Sequence, residues 1–293
     1  MFQKVLLVGN GINNIQQHYQ WRDLIHNLIR FIEADGQIQT ENKPFPLLYE
    51  EIFVAALKRK IKEADIKQYI AQEILCLQPN EIHRQIINMG FTDILTTNYD
   101  YTLENVLTSE LTDLGNNGLV NETVYNIFRH HQLNQTRFWH IHGEAGTPQS
   151  ITLGYEQYSG YLQRMRNYVV TGTGDLYKIS IKPLVRRMKK EVADTYSWLD
   201  LFFTKDIFII GLTLDFIEIH LWWLVTYRQR AKLEKVMPVN NHIYYFYPKE
   251  YQTAIGNKLQ VLESSGVIPR PVALNKSNWL KYYKDVLNQV KRL

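Results

Sequence analysis

Small and polar residues follow the apolar runs of this chain in a repeated way. Each run has the length of a β-strand and ends at glycine, proline or a set of amide, carboxylate or imidazole side chains. In an open α/β sheet, ligands bind in the crevice outside the carboxyl ends of the strands. The pattern therefore predicts a nucleotide site at one edge of a sheet. The five segments are KVLLVGNG (4–11), FTDILTTNYD (91–100), RFWHIHG (137–143), DIFIIGLTLD (206–215) and HIYYFYP (242–248).

The first segment ends in a Gly-x-Gly turn formed by Gly9, Asn10 and Gly11. A strand followed by such a turn and a helix brings backbone N–H groups to a pyrophosphate at the helix N-terminus. Asn14 stands where the usual third glycine would be, so an ordinary tight turn is the alternative. Asn10, Asn13 and Asn14 offer polar contacts to ribose or phosphate, unless they only form the turn and cap the helix.

Asn98 and Asp100 follow the second segment. An amide at a strand end donates and accepts hydrogen bonds at once, so Asn98 can hold a water or a ribose hydroxyl. Asp100 can accept a hydrogen bond from a carboxamide or a ribose hydroxyl. The alternative for Asp100 is an Asx turn that closes the strand.

His142 follows the third segment, and a histidine with a near-neutral pKa suits general-base work on a hydroxyl or water. His140 is expected to face the same side and to be a packed histidine or one that supports His142. His130 and His131 lie close by in sequence, which raises the question of a metal site. No cysteine or paired carboxylate nearby completes a ligand set, so no metal is expected.

The fourth segment supplies Gly211, Thr213 and Asp215 before a helix. Gly211 would let a ligand lie against the backbone, and Thr213 could reach a phosphate or ribose. Asp215 could contact the ligand or cap the helix. This segment thus adds a further wall to the predicted nucleotide site.

The elements that must position these residues indicate an α/β fold, with a Rossmann-like parallel sheet and a helical insertion. Apolar residues recur at helical spacing between about 18 and 90, and Asn80 is predicted to cap one of these helices. We expect a single domain: a core at about 1–15 and 91–250, an insertion at about 16–90 and a C-terminal helix at about 277–293. Strands are predicted at 4–8, 91–96, 123–128, 137–141, 207–210 and, as the last strand, 242–247.

Composition excludes several classes of protein. The net charge of +4, from 33 basic and 29 acidic residues, is too balanced to indicate nucleic-acid binding. The single cysteine, Cys76, excludes an internal disulfide and a zinc ribbon. The most hydrophobic stretch, 207–225, carries Asp215, Glu218 and His220 and is not expected to cross a membrane. A cytoplasmic protein is the expectation, since the N-terminus has no signal peptide.

The motifs GNG, TTNYD, HIHG and GLTLD occur here in the order found in the sirtuin-like superfamily, and most resemble its bacterial branch of NAD-consuming defence proteins. The resemblance covers roughly residues 5–224, and the pair TTNYD and HIHG discriminates best. It implies a Rossmann-type core with a small helical module and NAD bound between them. By this resemblance, Asn98 would position water or a ribose hydroxyl, His142 would be the general base and Asp100 would help to hold the nicotinamide ribose. Gly9, Gly11 and Thr213 would line the dinucleotide path.

The chain also departs from the deacylating sirtuins. It lacks their four-cysteine zinc module and the Pro-Asp-Phe-Arg segment after the first turn. Hydrolysis of NAD to nicotinamide and ADP-ribose is therefore the better inference, with a role in antiphage defence implied by the resemblance. The alternatives are a non-catalytic NAD or ADP-ribose binding module and an ADP-ribosyltransferase. Unregulated hydrolysis of NAD would be toxic, so the activity must be restrained. A homo-oligomer or a separate sensor protein is therefore expected as partner.

Overall fold

The computed structural model describes residues 3–15, 21–110, 114–174, 177–190 and 194–293. Within these residues the core of the protein is a seven-stranded sheet. Its strands are short and, apart from the edges, consist mostly of buried apolar residues, as expected for a sheet covered on both faces. They are β1 (Lys4–Val8), β2 (Asp93–Thr96), β3 (His131–Leu133), β4 (Thr136–His140), β5 (Asp206–Ile210), β6 (Ile243–Pro248) and β7 (Val267–Val272).

The strand order is β3-β4-β2-β1-β5-β6-β7. All pairs are parallel except β3 with β4, which form an antiparallel pair at one edge. The six parallel strands have the order of a doubly wound dinucleotide-binding sheet, in which the direction of winding reverses between β1 and β5. The predicted Rossmann-like α/β fold is confirmed.

Helices cover both faces of the sheet. Along β1, Val5 and Leu7 enter one apolar core, while Leu6 and Val8 enter the other. This alternation follows from the two-residue repeat of a strand. The helices are α1 (Trp21–Phe31), α2 (Phe45–Lys58), α3 (Glu63–Leu75), α4 (Glu81–Asn88), α5 (Tyr155–Arg166), α6 (Leu184–Lys189), α7 (Trp198–Thr204), α8 (Ile219–Leu233), α9 (Gly256–Ser264) and α10 (Trp279–Arg292). None of these described helices is long and apolar enough to cross a bilayer.

Helices α1, α2 and α3 form a third apolar core of their own. This core also includes Tyr99 and Tyr101 from the loop after β2, and Ile151 and Leu153 from the loop after β4. Helix α4, although inside the predicted insertion, packs Ile82 and Ile86 on the sheet with α10. The helical part of 16–90 that stands over the strand ends is therefore α1–α3, whereas α4 is a crossover helix of the sheet.

Two strand predictions are wrong. Residues 123–128 form no strand, because their backbone wraps around the buried carboxylate of Glu122, which accepts hydrogen bonds from the N–H groups of Ile127, Phe128 and Arg129. The sheet also does not end with β6. Strand β7 follows at the edge, where its prolines, Pro269 and Pro271, are tolerated because an edge strand needs fewer N–H donors.

The sequence predicts Ser277 as the cap of the C-terminal helix, but the cap is one residue later. The side chain of Asn278 accepts a hydrogen bond from the N–H of Lys281. At the other predicted cap, the amide oxygen of Asn80 accepts from the N–H of Ile82, as expected. The sequence TGTGD also predicts a flexible loop at 171–175, of which Asp175 lies outside the described residues.

Candidate functional site

A cavity of about 410 Å³ lies outside the carboxyl ends of the central strands, where the direction of winding reverses between β1 and β5. Helices α1, α2 and α3 contribute its outer wall, through residues such as Trp21, Phe45 and Ile74. Its volume is in the usual range for small-molecule sites. Eight of the nine residues predicted to act or bind line it: Asn10, Gly11, Asn14, Asn98, Asp100, His142, Gly211 and Thr213. Gly9 does not belong to the described lining.

The Gly-x-Gly turn packs tightly against the turn after β5. The N–H of Gly9 donates to Ile210 O (2.9 Å) and the N–H of Gly11 donates to Gly211 O (2.8 Å). A Cβ atom on Gly9 would lie 2.4 Å from the same carbonyl oxygen of Gly211, whose own φ is +63°. The glycines therefore permit the close approach of two backbones. Their amides are already used, so they do not provide the free pyrophosphate donors expected from the motif.

The three asparagines in and after this turn have two different roles. Asn10 and Asn14 line the cavity, whereas Asn13 is buried behind it. The Asn13 amide donates to Asn10 Oδ1 and to Asp100 Oδ2, both at 2.8 Å, and its oxygen lies 2.9 Å from His83 Nε2. Asn13 thus fastens the loop after β1 to the loop after β2. A 3-10 helix, Asn10–Ile15, replaces the α-helix expected after the turn.

Asp100 borders the cavity but is held by protein groups. Its Oδ1 accepts the N–H of Thr102 at 2.9 Å, which is the Asx turn considered as the alternative, and its Oδ2 accepts from Asn13. Both carboxylate oxygens therefore already have a donor. Its observed task is to shape the loop that carries Asn98.

Asn98 is fixed by its backbone and left open at its side chain. Its N–H donates to Thr96 Oγ1 (3.0 Å) and its carbonyl oxygen lies 2.9 Å from His140 Nδ1. The side-chain oxygen, Oδ1, is buried and has no hydrogen-bond partner among the described residues. A buried acceptor without a hydrogen bond lowers the stability of the fold by about 1–3 kcal/mol. A bound molecule that donates a hydrogen bond to this atom would remove that cost.

His142 lies in the turn that follows β4. Gly143, with φ at +94°, brings this turn so close to Ser150 that a Cβ would lie 2.2 Å from the Ser150 carbonyl oxygen. The ring nitrogen Nε2 of His142 is 2.8 Å from Nε2 of His220 on α8 and 3.9 Å from Oε2 of Glu218. One proton must therefore lie between the two imidazoles.

Burial controls the ionisation of this group. Desolvation lowers the pKa of His142 to about 3 and lowers that of His220 well below its ordinary value. Desolvation, reinforced by Asp215, raises the pKa of Glu218 to about 8, against an opposing effect of Lys258. Burial thus disfavours the near-neutral pKa expected for His142. The same shifts favour two neutral imidazoles and a protonated carboxyl group at pH 7.

Several residues of the site are not predicted as functional from the sequence. Glu218 and His220 served only to argue against a membrane span, and Trp21 is one of the apolar residues at helical spacing between about 18 and 90. Trp21 instead faces the cavity and contacts Phe45 (ring centroids 4.9 Å apart) and Tyr99 (6.0 Å). A signal was present in EIH (218–220), where an acid and an imidazole interrupt an otherwise apolar helix start.

Thr213 and Asp215 form the exposed rim of the cavity. Thr213 Oγ1 is 3.4 Å from Asp215 Oδ2, and the carbonyl oxygen of Thr213 accepts from Lys258 Nζ at 2.7 Å. Lys258 Nζ is also 3.8 Å from Asp215 Oδ1. These contacts place a cation next to Thr213, where a phosphate group could meet it.

Two groups of histidine and carboxylate residues could hold a metal ion within the described part of the chain. One is His142, Glu218 and His220, at the cavity; the other is Glu104, His131 and His140, behind it. His140 therefore does not face the same group as His142. Strand β4 ends at His140 and the chain turns, so the two side chains enter different clusters. The carboxylates that sequence proximity did not supply come from Glu104 and Glu218.

Comparisons with known proteins agree with part of this assignment. A search of curated proteins found no match. A family model described as the SIR2-like domain matches residues 92–191, about a third of the chain, including both Asn98 and His142. This match supports the resemblance to the sirtuin-like superfamily and suggests an NAD-dependent activity in general terms.

Proposed function

We propose that the protein is an NAD⁺ glycohydrolase that releases nicotinamide and ADP-ribose through Asn98 and His142. The observation that carries the proposal is the unpaired, buried Asn98 Oδ1 in the cavity that His142 also lines. The two residues are 44 positions apart in sequence and belong to different loops. A water or a ribose hydroxyl would supply the missing donor.

The chemistry suits an amide and an imidazole. Nicotinamide in NAD⁺ leaves as a neutral base from a cationic ring, so no general acid is required. The reaction needs a positioned water and stabilisation of an oxocarbenium-like ribose, for which glycosidases commonly use two carboxylates. Asn98 can orient the nucleophile by donating and accepting hydrogen bonds at once. When the neutral His142 donates its Nε2–H to His220, its Nδ1 keeps a lone pair that can receive the proton of the nucleophile.

Glu218 completes the site in this proposal. A proton on His142 is unfavourable in a buried site, and an ionised carboxylate 3.9 Å away offsets that cost. The same negative charge would favour the developing positive charge of the ribose. Activity should therefore increase as Glu218 loses its proton, around pH 8.

The remaining lining residues suit a dinucleotide. Asn10 and Asn14 offer amides, while Thr213 with neighbouring Lys258 offers a hydroxyl and a cation for the pyrophosphate. Trp21 and Phe45 offer aromatic surface for a base. We place the nicotinamide ribose between Asn98 and His142, with the rest of the dinucleotide extending across the β1–β5 switch point.

The test incubates the purified full chain with NAD⁺ and measures nicotinamide by chromatography. Wild-type protein should release it, and Asn98→Ala should reduce the rate at least about 100-fold. The exposed Asn257→Ala is the matched control and should retain the rate. Tight NAD⁺ binding without turnover would replace the proposal with a binding module. Transfer of labelled ADP-ribose to protein would replace it with a transferase.

We further propose that this hydrolysis serves as a regulated effector of antiphage defence in the cytoplasm, restrained by homo-oligomerisation or by a separate sensor protein. One support is the resemblance of the four motifs to those of bacterial defence proteins. The other is that unregulated hydrolysis of NAD⁺ would be toxic to the cell. Cells that express the wild-type protein should lose NAD⁺ after phage infection, and cells with Asn98→Ala should not. Equal NAD⁺ loss in both would contradict this role.

A further inference from the structure

Behind the cavity lies a second cluster of ionisable side chains that the proposed reaction does not use. We call it the sealed cluster: Glu104, His131, His140 and Glu144. Each is at most 2% exposed. They come from different loops and strands of the chain. In addition, Arg129 forms an ion pair with Glu144 Oε1.

Both imidazoles are oriented in the same way. His140 Nδ1 lies 2.9 Å from the carbonyl oxygen of Asn98, and His131 Nδ1 lies 3.1 Å from that of Gly115. A carbonyl oxygen can only accept, so each Nδ1 carries the proton. Each Nε2 therefore presents a lone pair to the interior of the cluster.

Those lone pairs meet carboxylate oxygens. His140 Nε2 is 2.7 Å from Glu104 Oε1, and His131 Nε2 contacts Glu144 Oε2. A lone pair facing an anionic oxygen is repulsive unless a cation lies between them. Either each imidazole–carboxyl pair holds one additional proton, or one divalent ion supplies the same two positive charges. The second oxygen of Glu104, Oε2, is buried without a partner in the described residues and could serve as a further ligand atom.

The spacing suits one metal ion. Ligand atoms of Glu104, His131 and His140 lie within 4.8 Å of one another. Two imidazoles on a tetrahedral zinc ion, with Zn–N bonds of about 2.0–2.1 Å, have ring centroids about 5–5.5 Å apart. The rings of His131 and His140 are 5.7 Å apart. An Nδ1–H donated to a backbone carbonyl is also the usual outer contact of a metal-bound histidine.

We propose that the sealed cluster binds a divalent transition-metal ion, through Nε2 of His131 and His140 and the carboxylate of Glu104. These two imidazoles and one carboxylate supply nitrogen and oxygen donors, which zinc fits best, and Glu144 beside His131 Nε2 is the nearest candidate for a fourth ligand. The ion is structural, because the cluster is closed to solvent. Through His140 it holds the carbonyl of Asn98, and so fixes the loop that carries that residue.

The first test measures metal in the full chain as purified, with any affinity tag removed. A buried ion acquired during folding is released slowly, so one equivalent of zinc should remain after dialysis against chelator. Protein made in medium that contains Co²⁺ in place of Zn²⁺ should show the visible absorption of tetrahedral cobalt. Wild-type protein with metal at background level, and no rise in Tm when Zn²⁺ is present during refolding, would overturn the proposal.

Variants locate the ion. His131→Gln and Glu104→Gln should each lose the bound metal, with a larger effect than the 10–100-fold that loss of an outer contact typically costs in affinity. His130→Gln, next to the cluster but bonded to Phe128 O, is the matched control and should retain one equivalent. Loss of the metal in His220→Gln, with retention in His131→Gln, would place it at the cavity and overturn the assignment. A variant that does not fold leaves the wild-type measurement to decide.

Discussion

Two histidines separated by one residue, His140 and His142, enter two clusters that both combine histidine with glutamate but differ in character. The sealed cluster around His140 is enclosed by protein on every described side, with both rings held between a carbonyl and a carboxylate. The cluster around His142, which we call the open cluster (His142, Glu218 and His220), borders the cavity and pairs imidazole with imidazole.

The two clusters differ in how far their buried polar atoms have hydrogen-bond partners. In the open cluster, Glu218 Oε2 and His220 Nδ1 are buried without partners among the described residues, close to the equally unpaired Asn98 Oδ1. Such atoms persist where a ligand completes them, at a cost in stability. The sealed cluster also contains an unpaired oxygen, Glu104 Oε2, but each of its imidazoles contacts both a backbone carbonyl and a carboxylate, and these contacts hold the loops together. We therefore expect changes in the open cluster to affect activity and changes in the sealed cluster to affect folding.

The largest effect should come from His142→Ala. Removal of the proton acceptor should lower the rate of nicotinamide release by about 10²–10⁴-fold, while the urea midpoint changes little, because the alanine leaves space beside a cavity. His242→Ala, whose side chain is half exposed at the start of β6, is the control. Steady-state rates with equal folded fractions provide the measurement. A rate within tenfold of wild type would remove His142 from the mechanism.

The next effect should be a large loss of stability in Glu104→Ala, in the sealed cluster. Removal of one partner from a buried ionic group typically costs about 3–5 kcal/mol, since it leaves the other charge or metal ligand uncompensated. Urea unfolding monitored by tryptophan fluorescence gives the value, and the exposed Glu110→Ala serves as reference. Equal midpoints for the two variants would show that the sealed cluster contributes nothing to stability.

The fold was largely predictable, and its errors have local physical causes. Strand-length apolar runs gave β1, β2, β4, β5 and β6, since a sheet covered on both faces needs such runs. Strand β7 was missed because Pro269 and Pro271 resemble a break, which an edge strand tolerates. The false strand at 123–128 is apolar enough, but Glu122 competes for its backbone N–H groups. No pattern in sequence reports such a competition.

The site was predictable where residues follow strands and not where helices supply them. Asn98 and His142 stand at strand ends, so topology alone brings them to one edge of the sheet. Glu104 and Glu218 reach the histidines through tertiary packing, so the ligand sets could not be counted from local sequence, although Glu144 directly follows HIHG. The pKa of His142 depends on the same burial, which sequence does not report.

Glu218→Gln should sharpen the comparison through pH. Folding raises the pKa of Glu218 from an ordinary 4.5 to about 8, so the folded state binds its proton more tightly than the unfolded chain. Its contribution to stability is present below pH 4.5 and is lost as pH rises to 8. Glutamine does not titrate, so the variant should gain stability over wild type across this window, by on the order of a few kcal/mol at pH 8.

The activity of the same variant should move in the opposite direction. Wild-type kcat/KM should rise as Glu218 ionises near pH 8, and Glu218→Gln should lose this rise. Asp215 and Lys258 face Glu218 from the rim, and His142, Tyr99, Tyr158 and Tyr245 face it from the interior. Asp215→Asn is therefore the control, and should shift the rise to lower pH without abolishing it. An unchanged pH profile in Glu218→Gln would exclude the carboxylate from the reaction.

The smallest effect compares one tyrosine packed against each cluster. The Tyr101 hydroxyl accepts the N–H of Gly146 at 2.8 Å, and its ring packs edge-on against His131 and His140. Tyr101→Phe should lower the free energy of unfolding by about 1–3 kcal/mol, because a half-buried N–H loses its acceptor. Tyr158 borders the cavity, where water can occupy the space that its hydroxyl leaves. Tyr158→Phe should therefore leave stability nearly unchanged, and equal costs for the two substitutions would remove the distinction between a sealed and an open cluster.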